Sequence, residues 1–135
     1  MAGIETASAR PRSPVSAEIT ARQHVLVQDK PPGLGGRDEG VMASEYLLAA
    51  LLACQLSTFH KVNAKRHTGI EARRIEGNLH FDEAGDIHTV ALLWELDVPD
   101  ALPDEKVDTV LRLTDKACTI SKVLNVPLAR QFVRV

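Results

Sequence analysis

The chain has 135 residues, enough for one domain with its own core and no disulfide staples. Acidic residues outnumber basic ones 18 to 16, so the charge balance gives nucleic acid or an anionic membrane no hold as an obligate partner. Aromatic residues make up only 4%, which argues against base-stacking platforms and predicts a core of Leu, Val, Ile and Ala.

The first residues, MAGIETASARPRSP, carry no apolar stretch and no cleavage pattern, and no secretory signal is expected. Two cysteines without such a signal predict a reducing, cytoplasmic setting, where a Cys pair is catalytic or redox-active more often than structural. Residues 1–13 are small and basic and include Pro11, which predicts a partly ordered arm. From Val15 to Asp29 two extended runs follow, with a break near Arg22–Gln23. Residues 30–40 are the longest turn-forming stretch. Their glycines at 33, 35, 36 and 40 fit neither GxGxxG nor the GxxxxGK(S/T) of a phosphate loop, so a simple connection is expected.

A long helix is predicted over 44–67. Tyr46 to Cys54 has no polar break, and only Gln55 separates that run from Leu56, so the first half is expected to be buried on all sides. The run is too short to span a bilayer, which needs about 20 apolar residues. Lys61, Lys65, Arg66 and His67 suit a helix C-terminus, and Gly69 supplies the stop. Alternation then predicts an antiparallel hairpin. Ile75, Leu79 and Phe81 share a face of its first strand, and Val90, Leu92, Trp94, Leu96 and Val98 share a face of its second. A second helix puts Val107, Val110, Leu111, Thr114, Ala117 and Cys118 on one stripe. Residues 119–125 continue it or form a further short helix, Pro127 stops that, and a last strand follows. The architecture expected is a single α+β domain over 1–135, with antiparallel sheet around a buried central helix and a homodimer hiding the rest of that helix.

Cys54 and Cys118 are the only cysteines, and each falls on the apolar face of a well-patterned helix. Buried cysteine is most often a small core hydrophobe, and that is the simpler reading of both. His60, His67, His80 and His88 come with no HExxH or Cys/His cluster, so neither a metal site nor another cofactor is expected.

GlyLeuGlyGlyArgAspGluGly at 33–40, followed by AlaSerGluTyrLeuLeuAlaAlaLeuLeuAlaCys at 43–54, resembles the segment leading into the central helix of the OsmC/Ohr family of organic hydroperoxide reductases. AlaCysThrIleSerLysValLeu, 117–124, is similar to that family's second motif, a Cys-(Pro/Thr)-(Ile/Val)-Ser segment ending in Leu. The likeness covers roughly residues 15–135 in element order. It implies an intertwined homodimer and a Cys-based peroxidase: Cys54 as the peroxidatic thiolate, Cys118 as the resolving thiol, and an external dithiol, of which a lipoylated protein is one form, as the reductant. The competing reading is a non-catalytic member that binds a small apolar ligand or a protein partner, with both cysteines structural.

An apolar helix interior raises a thiol pKa, whereas attack on a peroxide needs thiolate. A cation near Cys54 is therefore expected, and the resemblance implies an arginine on the N-terminal strands held by a glutamate at the start of the central helix. Arg12 lies nearest that position, with Arg10, Arg22 and Arg37 as rivals. Glu45 is the candidate glutamate, although the hydroperoxide-resistance branch has it one residue earlier, where this chain has Ser44, and Val41 and Ala43 replace the usual prolines. Glu45 lies about 14 Å along the helix from Cys54 and on the opposite face, so it serves a partner chain's cysteine or is a carboxylate at a helix N-terminus.

Overall fold

The computed structural model describes residues 3–135 and forms two compact units, one ending at Leu47 and one running Leu48–Val135. In chain order the elements are β1 (Ser8–Ser13), β2 (Ser16–Ala21), β3 (His24–Gln28), a 3-10 turn (Pro32–Leu34), α1 (Ala43–Arg66), β4 (Glu71–Phe81), β5 (Ile87–Asp97), α2 (Asp104–Ala117), α3 (Thr119–Val123) and β6 (Leu128–Arg134).

The first unit is built on an antiparallel sheet in the order β1-β2-β3. Of the arm expected over 1–13, residues 1 and 2 lie outside the described residues, and 8–13 form β1. Pro11 is tolerated there because β1 is an edge strand, where a missing N–H need not break a ladder. The β1–β2 turn is tied by Ser13 and Ser16, whose hydroxyls meet at 2.8 Å. The β2–β3 turn falls at the expected break, with Arg22 in the left-handed region at φ 54°.

The glycine-rich connection is wound around a buried carboxylate. Asp29 accepts hydrogen bonds from the N–H groups of Lys30 at 2.7 Å and of Arg37 and Glu39, each at 3.2 Å. The Lys30 bond chiefly, with the Glu39 and Arg37 bonds and the charge of Arg12, outweighs burial and holds Asp29 below the usual carboxylate range. Gly36 is required by this winding, since a Cβ there would lie 1.9 Å from the Lys30 carbonyl oxygen.

In the second unit β4, β5 and β6 form a sheet in that order. The β4–β5 hairpin is antiparallel as expected, and Val90, Leu92, Trp94, Leu96 and Val98 are all buried on one face. Phe81 departs from the expected face: a register shift between His80 and Phe81 breaks the alternation, and the ring is half exposed. The last strand, β6, pairs with β5 in parallel, because α2 and α3 carry the chain back before it enters the sheet.

Two apolar clusters cover the buried face of β5. One joins Phe59 of α1 and Val107, Val110 and Leu111 of α2 to Trp94 and Leu96. The other joins Leu51 of α1 and Cys118 to Val90 and Leu92. From Leu51 the buried stripe of α1 is Leu51, Gln55 and Phe59, at the four-residue spacing of one helix face. Ala49, Ala50 and Ala53 are exposed, so within one chain the helix is not buried all round as its composition predicts. α1 lies close on β4 at Gly77, where a Cβ would come 2.7 Å from a Leu48 methyl.

Candidate functional site

Cys54 and Cys118 come together in the second unit. Cys54 is near the middle of α1 and partly exposed, while Cys118, at the junction of α2 and α3, is fully buried. Both are free thiols in one apolar cluster. The Cys118 backbone is extended, φ −69° and ψ 118°, which ends α2 and starts α3 in a new direction. Its N–H still closes the last turn of α2 on the Thr114 carbonyl at 2.9 Å. Its carbonyl accepts the Lys122 N–H at 3.2 Å.

This kink aims the start of α3 at Cys54. Burial pushes the Cys54 thiol up, but hydrogen bonds from the Cys118 thiol, the Ile120 N–H, the Thr58 hydroxyl and the Thr119 N–H outweigh it, and the pKa falls below the ordinary thiol value. The Thr58 hydroxyl is one helical turn along α1, 3.9 Å from the sulfur. Thiolate at Cys54 is thus favoured by dipoles, two of them backbone groups. A partly exposed, acidified thiol beside a second thiol is equipped for nucleophilic attack followed by disulfide formation.

The remaining predicted residues lie in the first unit. Arg12, on β1, makes an ion pair with Glu39 at 3.6 Å and borders a cleft with Asp29, Gly36 and Arg37. Arg10 is held by Glu18 through two hydrogen bonds at 3.1 and 2.7 Å. Arg22 occupies the β2–β3 turn, and Arg37 donates its backbone N–H to Asp29. Glu45 stands in the first turn of α1, where its carboxylate accepts the Met42 N–H at 2.8 Å, the back-reaching half of a capping box. Of the histidines, His80 and His88 face each other across the hairpin with ring centroids 6.2 Å apart. Among the described residues no three His, Cys, Asp or Glu side chains are grouped to hold a metal ion. Among those residues, too, no helix is long and apolar enough to cross a membrane.

Sequence reasoning missed Thr58, Gln55 and Ser121. Gln55, read as an interruption of the apolar run, is completely buried, and its Nε2 donates to Ser121 Oγ of α3 at 2.7 Å. The available signal was spacing, since Gln55 is four residues from Leu51 and four from Phe59 and must share their face. Thr58 carried the same kind of signal, four residues after Cys54.

The family model described as OsmC-like protein matches residues 36–129. Solved structures with the same fold include an OsmC-like protein from Mycoplasma pneumoniae, with TM-score 0.79, 16% identity, and coverage of 100% of this chain and 99% of that one. An OsmC-like protein of unknown function from Vibrio cholerae gives TM-score 0.77 at 12% identity, over 98% of this chain and 100% of that one. The organic hydroperoxide resistance protein OhrB of Bacillus subtilis gives TM-score 0.73 at 21% identity, over 97% of this chain and 98% of that one. No curated protein matches the sequence.

Proposed function

Because the chain belongs to the OsmC-like protein family, we propose that it is a thiol-dependent peroxidase that reduces organic hydroperoxides in a reducing, cytoplasmic setting. The observation that carries this reading is the partly exposed Cys54, its pKa lowered, lying in one apolar cluster with the buried thiol of Cys118. The hydroperoxide resistance proteins among the fold relatives support the choice of substrate class.

In the proposed cycle the Cys54 thiolate attacks the outer oxygen of ROOH. The O–O bond breaks, the alcohol leaves with a proton, and Cys54 becomes a sulfenic acid. The Cys118 sulfur then attacks the Cys54 sulfur, water leaves, and a Cys54–Cys118 disulfide forms. An external dithiol, such as a lipoyl group on a protein, reduces it by exchange. The resemblance assigns further activation to an arginine, Arg12 first, oriented by Glu45. On that assignment Arg12→Ala lowers the peroxide rate constant while Arg22→Ala does not.

A homodimer is part of the proposal. In the first unit the only buried side chains among the described residues are Ser16 and Asp29, while Val25, Leu26, Leu34, Val41 and Leu47 are exposed. A three-stranded sheet with that much exposed apolar surface is completed by a second copy of the chain.

The test is one equivalent of cumene hydroperoxide added to the reduced protein, with products weighed by mass spectrometry. Wild type should lose two mass units as the disulfide forms. Cys118→Ser should hold one added oxygen on Cys54, and Cys54→Ser should not react. A Cys54→Ser protein that consumes its equivalent as fast as wild type overturns the mechanism and leaves the cysteines as core residues.

A further inference from the structure

Gln55 is fully buried, yet it uses only half of its amide. Nε2 donates to Ser121 Oγ at 2.7 Å, and Oε1 meets no hydrogen-bond partner. A stranded buried amide oxygen is costly, and an apolar side chain of similar shape would fill the place between Leu51 and Phe59 without that cost. The one bond Gln55 makes crosses from α1 to α3. On α1, Gln55 directly follows Cys54. On α3, Ser121 lies in the turn closed by the Lys122 N–H on the Cys118 carbonyl. The bond therefore ties the two segments that carry the sulfurs, at one residue from the first and three from the second.

We infer that the Gln55–Ser121 hydrogen bond is a strut that fixes the approach of Cys118 and the first peptide groups of α3 to the Cys54 sulfur. The inference deepens the peroxidase reading and rests on it for its biological purpose. Gln55 and Ser121 need not touch the reacting atoms; they are positioning residues that act through the two cysteines. α3 is a five-residue helix with no buried residue of its own, too short to hold its place by helical stability. Without the strut, Cys54 keeps its burial and loses donors, so its thiolate becomes scarcer. The titratable group facing Cys54 from α3 and the end of α2 is Cys118.

The experiment needs no peroxide. Reduced protein is alkylated with iodoacetamide over a range of pH, with the Cys54 and Cys118 peptides followed separately by mass spectrometry. The Cys54–Cys118 disulfide equilibrium is measured against dithiothreitol. Ser121→Ala should raise the midpoint of Cys54 alkylation by about one pH unit, cutting its rate at neutral pH about tenfold. Ser121→Thr, which keeps the hydroxyl, should restore it. The paired variant Gln55→Met/Ser121→Ala leaves no polar atom stranded and should melt near wild type while keeping the raised midpoint. That separation is one a merely structural contact would not produce. If Ser121→Ala does not fold, the paired variant carries the test. An unchanged Cys54 midpoint and disulfide equilibrium in a folded variant overturns the strut. A protein inert to cumene hydroperoxide would instead overturn the peroxidase reading and leave the strut measured.

Discussion

Cys54 meets two opposed demands: it sits in an apolar cluster, and the chemistry proposed for it requires a charge. The cluster favours the neutral thiol, and a thiol, a hydroxyl and two peptide N–H groups more than offset it. Because the folded pKa is lowered, the alkylation rate of Cys54 should be high above that pKa and fall as pH drops through it, with a midpoint below that of an ordinary free thiol. Thr58→Val removes one donor and should raise the midpoint, by less than Ser121→Ala does. Asp29 offers a second titration in the first unit. Its carboxyl is lowered in the folded state, so its contribution to stability is present above the unfolded value of about 3.9 and lost as pH falls through the folded one. Melting temperature followed into acid should therefore drop more steeply for wild type than for Asp29→Asn, and the two curves should converge at the lowest pH. Both cysteines were legible in the sequence because apolar spacing placed each on a helix face. The groups that acidify Cys54 were not, because two are backbone amides that any residue at 119 and 120 would supply.

At the scale of elements, periodicity located the long helix, the hairpin, the second helix and the last strand to within a residue or two. It failed where a local device breaks the period. Phe81 left its predicted face at a register shift, and Pro11 masked a strand that tolerates proline because it is an edge. Composition marks α1 as apolar all round, but it does not say which chain covers the face that one chain leaves exposed. The close approach of α1 to β4 depends on Gly77, whose Cβ position is occupied by Leu48 and crowded by Leu52. Gly77→Val should destabilise the fold by about 1–3 kcal/mol through overpacking, read as a lower midpoint in urea with an unchanged slope. Gly77→Ala should cost less, since the nearest atom is the end of a flexible leucine.

The chain as a whole has its apolar burial on one side of residue 47. Every buried hydrophobic side chain among the described residues lies from Leu51 onward, while the sheet of the first unit exposes Val25 and Leu26. Sedimentation at micromolar concentration should show two chains per particle. Leu26→Asp should shift the distribution toward single chains and lower the melting temperature, and a wild-type protein that sediments as one chain would remove the dimer from the proposal. The apolar circumference of the central helix and the family resemblance both lead to the expectation of a homodimer; the first unit, whose described residues include no buried hydrophobic side chain, adds a further physical reason for the proposal.

The parallel pairing of β5 with β6 also sets a schedule for folding. The β4–β5 hairpin closes across a short turn, a local event that comes early. β6 can join only after α2 and α3 have doubled the chain back, which costs the closure entropy of a long loop, and Cys118 rides in that loop. During refolding Cys54 should therefore alkylate as an ordinary, slow thiol until the crossover docks, and fast alkylation of Cys54 before β6 has paired would contradict this. On the proposed mechanism its acidification should come in the same step that delivers a second sulfur beside it. On that reading a nascent chain that meets an oxidant too soon would be spared an early sulfenic acid with no neighbouring thiol to intercept it before it climbs to the irreversible sulfinate.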